Sequence, residues 1–121
     1  MEFEIAMTKN DSSTRYYSDK HEKSVCRALD ARQQPNSGAG LWRKGDVVQE
    51  DASLLIECKC SMKPKSSVSI KEEWFIKNKK EAFFNRFENT AVCINFKPDG
   101  ANYYVIDEKL MAALCEKLKE Y

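Results

Sequence analysis

The chain of 121 residues has no long apolar run and almost no net charge, which is +1 at pH 7. No segment approaches the ~20 consecutive apolar residues of a membrane-spanning helix, so the sequence predicts no transmembrane helix. The N-terminus reads Met1-Glu2-Phe3-Glu4, with acidic side chains where a secretory signal peptide carries basic ones. We therefore expect a cytoplasmic protein.

Disulfide spacing is also lacking, although the chain contains five cysteines. An odd number of cysteines without a framework pattern is typical of a reducing compartment. Cys58 and Cys60, taken with Cys26 and His21, suggest zinc as one alternative, but structural zinc sites use paired Cys-x-x-Cys spacing. We interpret these thiols as small core residues.

The sequence contains no internal repeat, low-complexity linker or boundary of a second domain. Its length and its 42% hydrophobic residues are sufficient for one core, so residues 1–121 are expected to form a single domain. Phe3, Ile5 and Met7 are large apolar residues at every second position. We expect residues 1–17 to form an edge strand, an arm exchanged within a dimer, or a flexible tail.

Extended segments are expected over residues 44–49 and 53–60 in the first half of the chain, and over 90–96 and 102–106 in the second. Together with three helical segments they give the order helix, a three-stranded start, helix, two strands, helix. This order predicts an α/β fold with a mixed β-sheet flanked by helices.

Two of the helices carry start signals. Ser69-x-x-Glu72 has the form of a capping box and predicts a helix that runs to about Phe87. Asp107 is expected to cap the final helix, whose apolar stripe consists of Leu110, Met111, Leu114 and Leu118.

The first two long strands are expected to form a hairpin with a polar turn at residues 50–52. Side chains alternate between the two faces of a strand, so Glu57 and Lys59 share one face. If the turn centres between residues 51 and 52, Asp46 lies directly opposite Glu57. Two carboxylates and one ammonium group then meet at the open end of the hairpin.

Such a pair of carboxylates can bind a divalent cation. Without a cation the two groups repel and one of them is protonated, whereas Mg²⁺ or Mn²⁺ between them removes the repulsion. A divalent ion held beside a lysine can promote phosphodiester cleavage, so Asp46, Glu57 and Lys59 are the candidate catalytic residues.

The pattern Gly45-Asp46, an interval, and Glu57-Cys58-Lys59 resembles the PD-(D/E)xK nuclease signature, with Gly45 where the family has proline. Asn36-Ser37-Gly38-Ala39-Gly40 is similar to the Ser-Gly loop of Holliday junction resolvases and their phage-encoded relatives. The resemblance covers roughly residues 18–106. It implies a restriction-endonuclease-like core and a homodimer that cuts branched DNA, the four-way junction first of all, in the cytoplasm of a bacterium, an archaeon or a phage-infected host.

The resemblance also implies residue roles. Asp46, Glu57 and the Cys58 carbonyl would bind Mg²⁺, with Mn²⁺ as a substitute, and Lys59 would orient or deprotonate a water. A helical glutamate of related resolvases corresponds to Glu22, which would be a third metal ligand. The alternative is that Glu22 completes a capping box with Asp19, the expected N-cap of a helix ending before Pro35.

Basic residues are concentrated after the candidate site. The window from Lys59 to Lys80 holds seven lysines against two glutamates, a net charge of +5, although a solvated helix face would read the same way. DNA-backbone contacts are expected from Ser37, Gly38, Arg43, Lys44, Lys63 and Lys65.

Two other functions remain open at this point. One is a different nuclease of the same superfamily that acts on duplex, nicked or flap DNA. The other is a DNA-binding assembly protein that has this fold but does not cleave.

Overall fold

The computed structural model describes residues 2–35 and 46–120, and within those ranges it contains three helices and five strands. In chain order these are α1 (Glu2–Leu29), β1 (Arg32–Gln33), β2 (Val47–Gln49), β3 (Leu54–Lys59), α2 (Glu72–Asn85), β4 (Asn89–Ile94), β5 (Tyr103–Val105) and α3 (Glu108–Lys119).

The strands form one mixed sheet in the order β1-β2-β3-β4-β5. β1, β2 and β3 pair antiparallel, β3 and β4 pair parallel, and β5 returns antiparallel to β4. Parallel neighbours need a crossover connection, and α2 supplies it between β3 and β4. The prediction of an α/β fold with a mixed sheet is confirmed.

The first helix begins much earlier than the sequence signals indicate. α1 starts at Glu2 and has 28 residues, so Asp19 lies inside the helix and its interpretation as the N-cap is wrong. The edge strand expected over residues 1–17 is also wrong, because residues 2–17 are helical. No glycine or proline occurs before Pro35, so nothing in the backbone chemistry interrupts the helix.

The chain leaves α1 before Pro35. Asp30 adopts a left-handed conformation with φ 52°, and the Ala31 amide donates to the Cys26 carbonyl at 2.9 Å. This turn leads into β1, a two-residue strand that no sequence pattern predicts.

The sheet is covered on both faces. Val25 of α1 packs with Val47, Ile56, Ala91 and Cys93 on one face. On the other face, the buried residues Val48, Leu55 and Ala82 form a second cluster, with Ala82 supplied by α2. Glu57 and Lys59 alternate in step with Leu55 and so share one face, as expected. Because Leu55 packs with Ala82 of α2, this is the face that α2 covers.

Helix α2 is anchored by a buried side chain. Asn78 Nδ2 donates to the carbonyl of Ala91 at 3.1 Å and contacts that of Leu55 at 3.5 Å, so it links α2 to both β4 and β3. The helix begins at Glu72 after Lys71, whose side chain forms no cap hydrogen bond, so the Ser69 capping box is wrong. Acidic Glu72 and Glu73 instead favour the positive end of the helix dipole.

The C-terminal part follows the expected order. Gly100 N donates to Lys97 O at 2.9 Å in the turn between β4 and β5. Asp107 caps α3 by accepting the Leu110 amide at 2.9 Å, which confirms the predicted cap. The α3 stripe is largely exposed, and Leu118 has 74% of its surface accessible.

In the part of the chain that the structure describes, no helix has both the length and the apolar composition to cross a membrane.

Candidate functional site

The hairpin has the register that the turn length predicts. Val47 pairs with Ile56, and the next two pairs, Val48 with Leu55 and Gln49 with Leu54, continue this register as far as the turn. Extending the register by one position sets Asp46 opposite Glu57, and the Asp46 amide donates to the Ile56 carbonyl at 3.1 Å. Asp46 and Glu57 are therefore neighbours across the open end of the hairpin.

The Asp46 carboxylate is held by the backbone of the opposite strand. Its Oδ2 accepts the Cys58 amide at 2.7 Å. In an extended strand the N–H and C=O of one residue point to the same side, so the Cys58 carbonyl also points toward the β2 edge. One carboxylate oxygen is thus fixed beside a backbone carbonyl of the residue between Glu57 and Lys59.

Glu57 is 8% exposed, although it carries a carboxyl group. Burial, and next the hydrogen bond and negative charge of Asp46, raise the pKa of Glu57 to about 8. The positive charges of Lys59 and Lys77 oppose this rise. At neutral pH Glu57 therefore carries a proton, which reduces the repulsion between the Asp46 and Glu57 carboxyl groups. A bound cation would reduce the same repulsion when Glu57 is ionised.

Lys59 lies two residues further along the same face of β3. Its Nζ is 4.9 Å from the centroid of the Trp74 ring, in the geometry of a cation–π contact. Trp74 is in the first turn of α2, and Lys77 follows one turn later. The first half of α2 thus brings an aromatic ring to Lys59 and the positive charge of Lys77 to Glu57.

Glu22 occupies a different position. It lies on α1 and accepts a hydrogen bond from Gln33 Nε2 at 3.1 Å, while the same amide also contacts Asp19 at 3.0 Å. The capping-box alternative is wrong, because Asp19 is within the helix. Among residues 14–35 and 46–120, no group of three His, Cys, Asp or Glu side chains that could hold a metal ion is found. The role of Glu22 as a third metal ligand stays a prediction.

The expected DNA contacts fall in two groups. Ser37, Gly38, Arg43 and Lys44 lie outside the described residues. Lys63 and Lys65 are exposed on the segment that leaves β3 just after the site.

The segment that carries these two lysines is tied to the adjacent strand. The Lys65 amide donates to the Phe96 carbonyl at 2.7 Å. Ser61 is held on Asn95, through the Ser61 amide at 2.7 Å and the Ser61 hydroxyl at 2.8 Å. The lysines are therefore carried at the same end of the sheet as Lys59.

Three of the cysteines pack in the core. Cys93 is completely buried, and Cys26 and Cys58 pack in the same cluster. Cys93 Sγ lies 3.5 Å from His21 Nε2, which also contacts Asn102 Oδ1 at 3.0 Å. The interpretation as core residues is confirmed for Cys26 and Cys58, whereas Cys60 is half-buried outside this cluster, with its Sγ 3.6 Å from the Tyr17 carbonyl.

The sequence patterns do not single out Trp74 and Lys77, two residues of α2 that lie near Lys59 and Glu57. A usable signal was present: the two residues are three positions apart on a helix that follows the Glu-x-Lys strand. A crossover helix packs on one face of the sheet, so neighbours at i and i+3 near its start can reach the strand before it.

The donor chemistry fits a hard divalent cation. Asp46 and Glu57 supply oxygen atoms, and Mg²⁺ is commonly bound by one or two carboxylates while keeping several waters. Cavities of about 260 and 250 Å³ lie elsewhere, one between α2 and α3 and one beside His21, and neither is lined by Asp46 or Glu57.

No family model, curated protein or solved structure matches this chain.

Proposed function

We propose that the protein is a Mg²⁺-dependent, structure-selective DNA endonuclease of the PD-(D/E)xK type, with a restriction-endonuclease-like core. Four-way DNA junctions are the first substrate to test. The observation that carries the proposal is the contact between Asp46 and Glu57 on adjacent strands, with Lys59 on the same face. The resemblance of the sequence pattern Gly45-Asp46 and Glu57-Cys58-Lys59, which contains the same three residues, also supports it.

The metal would be held by Asp46, Glu57 and the Cys58 carbonyl. When bound, Mg²⁺ supplies Lewis acidity, which lowers the pKa of a water and offsets charge on a phosphate. Asp46 is ready for this role because the Cys58 amide already fixes one of its oxygens. Glu57 must lose its proton to take part, so the site is expected to bind the ion more tightly as the pH rises.

Lys59 would act on the attacking water and on the phosphate. Its ammonium group can orient the water through a hydrogen bond and stabilise negative charge that develops on phosphate oxygens during cleavage. We propose an outer role for Glu22 of α1, whose carboxylate accepts a hydrogen bond from Gln33.

A basic surface next to the site supports a nucleic-acid substrate. Lys63 and Lys65 are exposed beside the end of β3, and Lys77 of α2 lies near enough to Glu57 to oppose the rise in the pKa of that carboxyl. Lys79 is instead paired with Asp107 at 2.9 Å. Lysines bind phosphates as point charges, which gives affinity without reading bases. This arrangement suits a substrate recognised by its shape.

Paired incision of a four-way junction requires two active sites related by a two-fold axis, so we propose a homodimer. The exposed apolar side chains of α2 and α3 are the candidate interface, since Phe83 is 80% and Phe84 76% exposed. Exposed apolar surface of this kind is more frequent at interfaces than elsewhere on a soluble protein.

The testing experiment is cleavage of a substrate panel. End-labelled junction, flap, nicked, linear duplex and single-stranded DNA are incubated with the purified protein in Mg²⁺ and, separately, in chelator. The proposal expects Mg²⁺-dependent strand cleavage, fastest on the junction. Preferred cutting of flap or nicked DNA would replace the resolvase assignment by another nuclease, and tight binding without any cleavage would favour the assembly protein.

A further inference from the structure

The ammonium group of Lys59 contacts an aromatic ring. Its Nζ lies over the Trp74 ring at 4.9 Å. Within residues 14–35 and 46–120, no carboxylate is within 4.0 Å of that nitrogen, although Glu57 is two positions away on the same strand face. The indole is therefore in direct contact with the ammonium group, whereas Glu57 acts on it at longer range.

A lysine needs such a neighbour to occupy a defined position. Its four-carbon stem has many rotamers, and its ammonium group is a compact charge without the planar geometry that orients arginine. An aromatic face attracts the cation over an area broad enough to guide it and leaves its N–H groups free to donate. A carboxylate partner would instead occupy those donors.

Trp74 is itself firmly placed. It is half-buried in the first turn of α2, and its amide donates to the Lys71 carbonyl at 3.1 Å. One turn further on, Asn78 links the helix to β3 and β4. The indole is thus carried by the helix that is tied to the strand bearing Lys59.

We propose that Trp74 is the positioning residue for Lys59 and that its indole face holds the ammonium group beside the Asp46–Glu57 pair. This inference rests on the proposed nuclease function. Trp74 would contribute to the rate of cleavage through Lys59, and would contribute little to DNA affinity.

A second lysine–aromatic pair provides a matched control. Lys20 Nζ lies 5.4 Å from the Tyr16 ring centroid on α1, and it also pairs with Asp99 at 3.0 Å. Tyr16→Leu removes a contact of the same kind, away from the candidate carboxylates.

The test is single-turnover cleavage, in saturating Mg²⁺, of the panel DNA that the wild type cuts fastest. Trp74→Leu is expected to lower the rate constant by about 3- to 30-fold, the strength of a cation–π contact, with DNA affinity unchanged within about twofold. Trp74→Phe retains a weaker aromatic face, so its rate constant should lie between those of the wild type and Trp74→Leu. The rate constant of Tyr16→Leu should equal that of the wild type. In a Lys59→Ala background, Trp74→Leu should have no further effect.

A second measurement does not depend on activity. In the wild type, the Lys59 Cε protons should resonate upfield of the other lysines in an NMR spectrum, because the indole ring current shields them. The shift should be lost in Trp74→Leu and partly kept in Trp74→Phe. If Trp74→Leu does not fold, the rate and the shift of Trp74→Phe decide.

The outcomes separate the two proposals. If the wild type cleaves and the Trp74 variants cleave equally well, the positioning role is wrong. It is also wrong if Trp74→Leu slows cleavage by the same factor with and without Lys59. In both cases the proposed nuclease function still stands. If the wild type cleaves none of the substrates, the nuclease proposal is wrong and the positioning role falls with it.

Discussion

Asp46 Oδ2 accepts the backbone amide of Cys58 at 2.7 Å, across the two strands of the β2–β3 hairpin. The contact ties the carboxylate to the peptide unit that joins Glu57 to Cys58. A short charge-assisted hydrogen bond of this kind favours one orientation of the carboxylate. The side chain is therefore ordered before any cation is bound, which reduces the cost of building a metal site.

The buried Glu57 makes stability depend on pH. Its pKa is about 8 in the folded chain against an ordinary 4.5, so the folded state holds more protons than the unfolded state between these values. The free energy of unfolding contributed by this group must then fall as the pH rises from 5 to 8.5. We expect the loss to be on the order of 2 to 4 kcal/mol, measured by urea unfolding.

Comparison with Glu57→Gln isolates this contribution, because the other titrating groups are common to both proteins. The wild type should lose stability relative to Glu57→Gln as the pH rises. The exposed Glu73→Gln serves as a control and should follow the wild type at every pH. A constant difference between wild type and Glu57→Gln would contradict the raised pKa.

Mg²⁺ should stabilise the protein more at high pH than at low pH. Binding requires deprotonated Glu57, so the affinity rises as this proton is lost. At a Mg²⁺ concentration tenfold above Kd, stabilisation of about 1.4 kcal/mol is expected. Thermal unfolding at pH 6 and 8.5 measures the effect, and Asp46→Asn should remove it. An equal Mg²⁺ effect at both pH values would count against the carboxylate pair as the binding site.

Glu22→Gln should reduce cleavage by about 10- to 100-fold at most, and by less than Asp46→Asn does. The Glu22 carboxylate accepts a hydrogen bond from Gln33, so we expect it to act on the metal through outer contacts. Single-turnover rates at saturating Mg²⁺ check this prediction, with Glu73→Gln as the control. A loss as large as that of Asp46→Asn would restore Glu22 as a direct ligand.

The proposed dimer should depend on the apolar stripe of α3. Sedimentation of the wild type at micromolar concentration should give about twice the 14.0 kDa mass of the chain. Leu118→Glu places a charge in the stripe and should shift the protein toward monomer, whereas Leu118→Met keeps it apolar and should not. A wild type that stays monomeric even on saturating junction DNA would contradict paired incision.

Much of this arrangement could be predicted from local patterns. The distance of Asp46 and Glu57 from the turn determines which residues face each other, because the register of a hairpin depends on its loop length. The Asp107 cap and the alternation of faces in β3 are equally local. These features require no knowledge of how distant elements pack.

Features that depend on packing could not be predicted in the same way. The contact between Trp74 and Lys59 requires knowing which face of the sheet α2 covers. The start of α1 was missed because capping residues also occur inside helices, where nothing in the sequence marks them as internal. Glu22 has helical spacing with the core, and the spacing alone did not reveal its bond to Gln33.

Cleavage by Asp46→Asn tests the central claim most directly. The asparagine oxygen can still accept the Cys58 amide, so the fold should be preserved while a negative metal ligand is lost. End-labelled junction DNA is incubated in Mg²⁺ with the wild type, with Asp46→Asn, or with Asp51→Asn, which is the control in the exposed turn. We expect Asp46→Asn to lose at least about 100-fold in rate with junction binding retained, and Asp51→Asn to match the wild type. Cleavage by Asp46→Asn at the wild-type rate would contradict the assignment of the metal site.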